Sequence, residues 1–358
     1  MTDSARTRWT LIDRNTRPKA WVNVAKGVAM FMVVIFHTSL YFGEAEIASF
    51  PGRIKLFLEA FPMPAFFVIS GMFALRVSTW TFPQLWKRRL LPLLWLYIVW
   101  SLVRFVFYIV VPGTNGDLGA LPATDPRSIL LLLVWPSNSY WFLYAMFWFT
   151  LGVWALGRVP VWLKLGGAAL VSTAITSGIA SLGNLGWNRT AALFLFFLIG
   201  ALFYERITTG IAKSGPWTLV GLAVVYLGFS AVVVAVPGAR GLPFAVTIMQ
   251  VLAIAVGFVA SKYIAMVRPL AAVFGTIGEW SLQIYLLHLF IIVSMASLLE
   301  WLLPPMGGPL GALLVTACAI LTTWIAVLLS KLTTKVKWLY IPPTRLRRSR
   351  KAVGESTA

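Results

Sequence analysis

The sequence predicts an all-α fold, a polytopic bundle of about ten transmembrane helices with both termini in the cytoplasm. Three observations carry this. Of 358 residues, 59% are hydrophobic and 11% charged, where an ordinary soluble domain carries roughly 25% charged residues. The apolar residues gather in runs long enough to cross a hydrocarbon core, which takes about 20 residues each. Lysine and arginine fall on alternate sides of successive runs, as positive-inside topology demands. The same composition excludes a water-soluble globular protein, a disordered chain and a collagenous or coiled-coil one.

Each element has its own justification. Residues 1–21 form a cytoplasmic tail rich in Arg6, Arg8, Arg14, Arg17 and Lys19. The first run, 22–42, lacks a small-residue cleavage site and holds a histidine, so it reads as a retained span and not a signal peptide. The second, 57–76, contains Pro62, Pro64 and the pair Ser70-Gly71; Pro64 removes a backbone hydrogen bond, so the helix starts or bends there. The third, 90–111, follows the basic stretch Trp86-Lys87-Arg88-Arg89-Leu90-Leu91-Pro92. After a polar outer loop, Pro112 to Arg127, residues 128–136 are expected to form a short helix beside the fourth span, 138–157. Spans follow at 162–181, 190–206, 216–236 and 243–262. The run 270–299 is too long for one crossing, and Gly275 and Gly278 mark its first part as a separate turn or surface helix; 309–331 completes the membrane domain, 22–331. Residues 332–358 form a basic cytoplasmic tail.

The net charge of +19 is mostly topology. Lys26, Arg76, Lys87, Arg88, Arg89, Arg158, Lys164, Arg206, Lys213, Lys262, Arg268 and the cations from Lys331 onward fall on one side, with Arg53, Lys55, Arg127, Arg189 and Arg240 on the other. Arg345, Arg347, Arg348, Arg350 and Lys351 in the tail suit anionic lipid head groups as partners better than nucleic acid. Cys318 stands alone, so neither an intramolecular disulfide nor a thiolate metal cluster is available, and no metal site is expected. The protein is expected in a cell membrane, a bacterial inner or plasma membrane, as a multi-pass protein.

Ionisable groups in hydrocarbon are costly, and each is a functional candidate. They are His37, Arg104 and His288, with Lys26, Arg89 and Glu279 at the borders of spans. Both histidines of the chain are among them. An imidazole exchanges a proton near neutral pH, which suits general base work or a proton relay; the bland alternative is a hydrogen bond to a neighbouring helix. Lys26 lies eleven residues before His37, about 16 Å along one helix face, placing a cation near the inner surface below the imidazole. Lys87, Arg88 and Arg89 open the third span, where a helix N-terminus and guanidinium groups attract phosphate, although a cationic membrane anchor reads the same way. Arg104 suits an anionic acceptor, a pair with Glu279 or Glu300, or outward snorkelling. Trp141, in Tyr140-Trp141-Phe142-Leu143, is either an interface aromatic or a platform for a sugar.

Taken together, the pattern resembles the acyltransferase 3 family of integral membrane acyltransferases. Lys26 and His37 fit its basic residue, ten residues, histidine pattern, with lysine where arginine is commoner. Pro62 to Gly71 resembles its proline-rich Phe-Phe-x-x-Ser-Gly signature, and Arg89 fits the second arginine of its Arg-x-x-Arg motif, whose first position falls on Trp86. Trp141-Phe142-Leu143 is similar to the fourth-span motif, and Gly278 to His288 to the late Gly-x-x-Ser-x-x-x-Tyr-Leu-x-His run. The resemblance implies an acyl-CoA, most often acetyl-CoA, as a cytoplasmic co-substrate with no permanently bound cofactor, and a hydroxyl of an extracytoplasmic carbohydrate or glycolipid as acceptor. Lys26, Lys87, Arg88 and Arg89 would then meet the CoA phosphates, His37 would act as base, and Tyr285, Ser281 or His288 would stabilise the oxyanion or orient the base. Arg104 and Trp141 would face the acceptor. The rival reading is a proton-coupled carrier for a small solute using the intramembrane histidines, against which stands the absence of internal symmetry in the sequence.

Overall fold

The computed structural model describes residues 20–50, 57–111, 122–136 and 138–343, and among them it is all helix and turn, with no strand. The helices are α1 (Ala20–Glu44), α2 (Pro62–Met72), α3 (Phe82–Val110), α4 (Trp141–Ala155), α5 (Val161–Thr176), α6 (Leu185–Lys213), α7 (Pro216–Ala235), α8 (Ala245–Ile264), α9 (Arg268–Glu279), α10 (Ser281–Leu302) and α11 (Gly308–Thr333). Seven of these (α1, α3, α6, α7, α8, α10 and α11) are long and apolar enough to cross a membrane; the segments Phe57–Met72, Trp141–Ala155 and Val161–Thr176 are shorter apolar helices. Large apolar side chains stand on the outside, Trp217 at 84% and Trp301 at 88% exposure among them, a surface that water would not tolerate and lipid does.

With no hydrophobic force to drive helices together inside lipid, close backbone approach decides the packing, and small residues permit it. Two crossings show this. Gly27 of α1 meets the backbone of Phe274 in α9, while Gly278 of α9 meets Asn23 and Gly27 of α1. Gly71 of α2 rests on the backbone of Phe197 and Ala201 in α6, and Gly200 of α6 on Val68 and Met72 of α2. The Ser70-Gly71 signature is therefore, at its glycine, a packing device. α1 is the hub: it also touches α2, α8, α10 and α11.

The ends of α2 and α3 meet at one side of the bundle. α2 begins at Pro62, after a short turn that ends at Phe61, so the bend precedes Pro64 by three residues and both prolines sit where their missing N–H groups cost nothing. α3 begins where the Thr81 amide donates to Gln84 Oε1 at 3.1 Å, and reaches its regular part through one turn of π-helix, Trp86–Leu90, in which the Leu91 amide bonds Trp86 O. Pro92 explains the wide turn, because its ring crowds the carbonyl four residues back and it offers no N–H.

Two expectations need correction, and a third holds with its break moved. Residues 128–136 do not form a helix: only Arg127–Leu130 make a helical turn, and Leu131 to Trp135 run as turns and a bend up to Pro136, which forbids regular continuation. The long run 270–299 does divide, its first part forming the separate helix α9, but the break falls at Trp280, and Gly278 serves the contact with α1. The third and sixth spans are longer than their hydrophobic cores suggest, running through basic termini, and α6 kinks at Phe203. Residues 1–19, most of the outer loop from Pro112 and the tail cations from Arg345 onward lie outside the described residues.

Candidate active site

The irregular segment before α4 is the floor on which the site is built. Side chains cap its carbonyls: Tyr97 Oη donates to Leu132 O at 2.9 Å, Tyr144 Oη to Leu133 O at 2.9 Å, Trp187 Nε1 to Val134 O at 3.0 Å and Tyr285 Oη to Ser139 O at 2.8 Å. Asn138 Nδ2 donates to Ser101 Oγ at 2.8 Å, and Tyr140 Oη to Leu286 O at 2.9 Å. Non-helical backbone at membrane depth persists only where it is satisfied in this way and buried in protein or lining a cavity. Outside the bundle, in the same loop, Arg127 grips Asp125 at 2.7 Å; the hydrogen bond from Arg127 holds the Asp125 carboxyl below the usual carboxylate range.

Above this floor the two histidines meet. His37, half-buried on α1, and His288, fully buried on α10, lie 3.2 Å apart from Nδ1 of the first to Nε2 of the second. Their protons follow by elimination. His288 Nδ1 faces two carbonyls, Tyr285 O at 2.8 Å and Ile284 O at 3.1 Å, so it carries the hydrogen. In the neutral ring Nε2 is then an acceptor, and His37 Nδ1, which also faces Val33 O at 3.0 Å, must be the donor. That leaves His37 Nε2 with a free lone pair. The pair is thus a chain of hydrogen bonds running from backbone carbonyl to imidazole to imidazole, and it ends in a base.

Aromatic rings connect this pair to the other motifs. Tyr285 lies 6.1 Å from His288, Phe142 5.5 Å from Tyr285, and Phe67 4.8 Å from Phe142, centroid to centroid. Four stretches far apart in sequence, around His37, Phe67, Phe142 and His288, therefore converge. The Trp141 ring is buried, with the Arg189 guanidinium 5.2 Å from its centroid, so one face of the indole is already covered by a cation. Tyr285 has committed its hydroxyl hydrogen to Ser139 O.

Other candidates sit apart from the pair. Ser281 opens α10, seven residues and about 10 Å along the axis from His288. Lys26 is half-buried near the α1–α9 crossing, where Glu279 is its electrostatic neighbour, so Glu279 is a companion of Lys26 and not of Arg104. Arg104 does not snorkel. It is 3% exposed, stands 4.7 Å over the Tyr108 ring, and has Tyr41, Tyr97 and Tyr140 within electrostatic reach. At the basic end of the bundle, Arg89 Nη2 donates to Phe73 O, just past the end of α2, at 3.0 Å; Arg88 is exposed, 5.5 Å over Trp80, and Lys87 is half-buried. Arg89 thereby touches the helix that carries Phe67 to the site, six residues or about 9 Å further along. Among the described residues no cluster of histidine, cysteine and carboxylate side chains is placed to hold a metal ion.

Each of the sequence motifs now has a place in the fold. A family model of an acyltransferase domain matches residues 19–331. The chain belongs to the acyltransferase 3 family. No curated protein and no solved structure matches it. As a member of this family with seven membrane-length helices among its described residues, the protein is an integral membrane acyltransferase. Sequence reading missed Arg189, which it counted as a loop cation, and the caps supplied by Tyr97, Tyr140 and Tyr144. Arg189 was legible only as a charge five residues after the N-cap Asn184, at the start of an apolar helix.

Proposed function

We propose that the protein moves an acyl group, most simply acetyl, from acyl-CoA on the cytoplasmic side to a hydroxyl of an extracytoplasmic carbohydrate or glycolipid. The observation that carries this reading is the His37–His288 pair, whose hydrogen bonds leave His37 Nε2 unprotonated and aimed away from its anchor. Transfer of an acyl group from a thioester to an alcohol needs a base for the alcohol's proton, and a histidine of this kind contributes about 10²–10⁴-fold.

In this scheme the acceptor hydroxyl loses its proton to His37 Nε2 as its oxygen attacks the thioester carbonyl. His288 holds the ring in the tautomer that can accept and takes up part of the positive charge through the Nδ1–H bond. Collapse of the tetrahedral intermediate breaks the carbon–sulfur bond, and the imidazolium returns its proton to the departing CoA thiolate. Arg89, Arg88 and Lys87 sit at the basic end, where CoA phosphates would meet guanidinium groups, and Lys26 lies on the same face of α1 as His37. The buried Arg104, ringed by tyrosines, would face a polar acceptor.

The test is purified protein in detergent incubated with radiolabelled acetyl-CoA and a panel of glycans. Label on a glycan, or CoA release, supports the reading, and His37→Ala should abolish both while the protein stays folded. Full activity of His37→Ala refutes it. Envelope glycans compared by mass spectrometry with and without the protein would identify the acceptor.

A further inference from the structure

The transfer just described develops a negative oxygen on the attacked carbonyl, and the groups first suspected of stabilising it are engaged elsewhere. Tyr285 gives its hydroxyl hydrogen to Ser139 O at 2.8 Å. His288 spends Nδ1–H on the carbonyls of Ile284 and Tyr285 and turns Nε2 toward His37. Ser281 is about 10 Å along α10 from His288.

Arg189 is differently placed. It stands in the second turn of α6, beyond the N-cap Asn184, whose side chain accepts from Trp187 N at 3.0 Å. Its guanidinium lies over the Trp141 ring, which fixes the fork in position without consuming a donor. It is half-buried, and it makes no hydrogen bond or ion pair with any described residue. Its charge nevertheless reaches both His37 and Tyr285, with Glu59 as the nearby carboxylate. A cation held over Trp141 within electrostatic reach of His37, at the edge of a water-poor bundle and with no hydrogen bond to any described residue, is costly unless it serves something that arrives with negative charge.

Building on the acyl-CoA reading, we propose that Arg189 is the oxyanion-stabilising residue of the transfer. As the acceptor oxygen bonds the thioester carbon, the carbonyl π pair moves onto the oxygen, and Arg189 N–H groups hold that charge; when the carbonyl re-forms, the pair returns and the carbon–sulfur bond breaks toward CoA. Arg189 is silent in the ground state, where the carbonyl is neutral, and acts as charge develops.

The experiment uses the full-length protein in detergent with acetyl-CoA as donor and methyl β-D-glucopyranoside as probe acceptor, reading CoA thiol release. Water serves as the acceptor if the glycoside is refused. The expected result for Arg189→Gln is a kcat about 10²–10³-fold lower, the loss seen when an oxyanion donor is removed, with the KM for acetyl-CoA within about twofold of wild type. In Arg189→Ala, guanidinium ion in solution should restore part of the rate, a rescue that a purely structural arginine would not show. An unchanged kcat, or an elevated donor KM with kcat retained, overturns the proposal. If Arg189→Gln does not accumulate folded, Arg189→Lys decides: a kcat loss of about tenfold or more at constant KM supports the role, because an ammonium lacks the planar fork, and full activity overturns it. A wild-type protein that releases no CoA refutes the acyl-CoA reading, and this proposal with it, before any variant is compared.

Discussion

Replacing Gly278 by alanine tests whether the α1–α9 crossing sets the catalytic geometry. A Cβ on Gly278 would overlap Asn23 O and come within 2.8 Å of Asn23 C and 3.1 Å of Gly27 N, where ordinary contact begins at 3.4 Å. These are backbone atoms of α1, so no side chain can swing aside, and α9 must withdraw by about 1 Å or more to clear Asn23 O. Over-packing of this kind costs about 1–3 kcal/mol. α10 starts three residues after Gly278, and a shift of that size carried to His288 would stretch its contact with His37 from 3.2 Å to about 4 Å, beyond hydrogen bonding. Activity should then fall by about tenfold or more, as it does when reacting groups are misplaced by a fraction of an ångström to 1 Å. Gly275, one turn earlier on α9, is the control: a Cβ there meets nothing within 4 Å, and alanine should stabilise by up to about 1 kcal/mol through helix propensity. The buried Cys318 supplies the assay, since a thiol-reactive fluorogenic dye reaches it only on unfolding. Equal melting temperatures for the two variants, or a Gly278→Ala protein with wild-type activity, would refute the reasoning.

Other substitutions test separate parts. His288→Ala should lower kcat by about 10–100-fold without raising donor KM, and His288→Gln, whose side-chain carbonyl can accept from His37 Nδ1, should recover part of that loss; equal activity of the two variants argues against a tautomer-fixing role. Tyr285→Phe leaves Ser139 O without its hydroxyl donor and should cost about 1–3 kcal/mol of stability in the thiol-dye melt, while an oxyanion role for the hydroxyl would instead show as a kcat loss at unchanged melting temperature. Arg88→Ala, at an exposed cation, should raise the donor KM with little change in melting temperature; Arg89→Ala should do both, because it also uncaps Phe73 O, and a donor KM indifferent to both variants would remove the phosphate assignment.

The membrane bundle was legible in the sequence because hydropathy is a one-dimensional property and lipid imposes it on every span. Residues that meet by local spacing were legible too: Lys26 and His37 share a face of α1, and Tyr285 and His288 share one of α10. The site's decisive contact was not, since His37 and His288 are separated by 251 positions and nothing in either stretch specifies which helix stands opposite. Residues 128–136 misled because their apolar content is real, but most of it faces outward, with Leu130 at 80% and Val134 at 67% exposure, while the carbonyls of Leu132, Leu133 and Val134 accept from tyrosine and tryptophan side chains in place of a helical ladder. Gly278 looked like a helix breaker because a glycine's packing role depends on the atoms it lets in, and those belong to α1. Arg189 was counted as a loop cation because its helix begins earlier than the apolar run that announces it.

The capped segment before α4 also orders the birth of the molecule. Its carbonyl donors arrive in instalments, Tyr97 before the segment is made, Tyr144 and Trp187 soon after, and Tyr285 more than a hundred residues later. A carbonyl stranded in hydrocarbon costs several kcal/mol, so this stretch cannot settle to its final depth while the chain is half synthesised. The same late helix brings both the last cap and the second imidazole. A ribosome-bound or truncated chain lacking α10 therefore has neither a finished floor nor the paired imidazoles, and insertion of that helix supplies both at once.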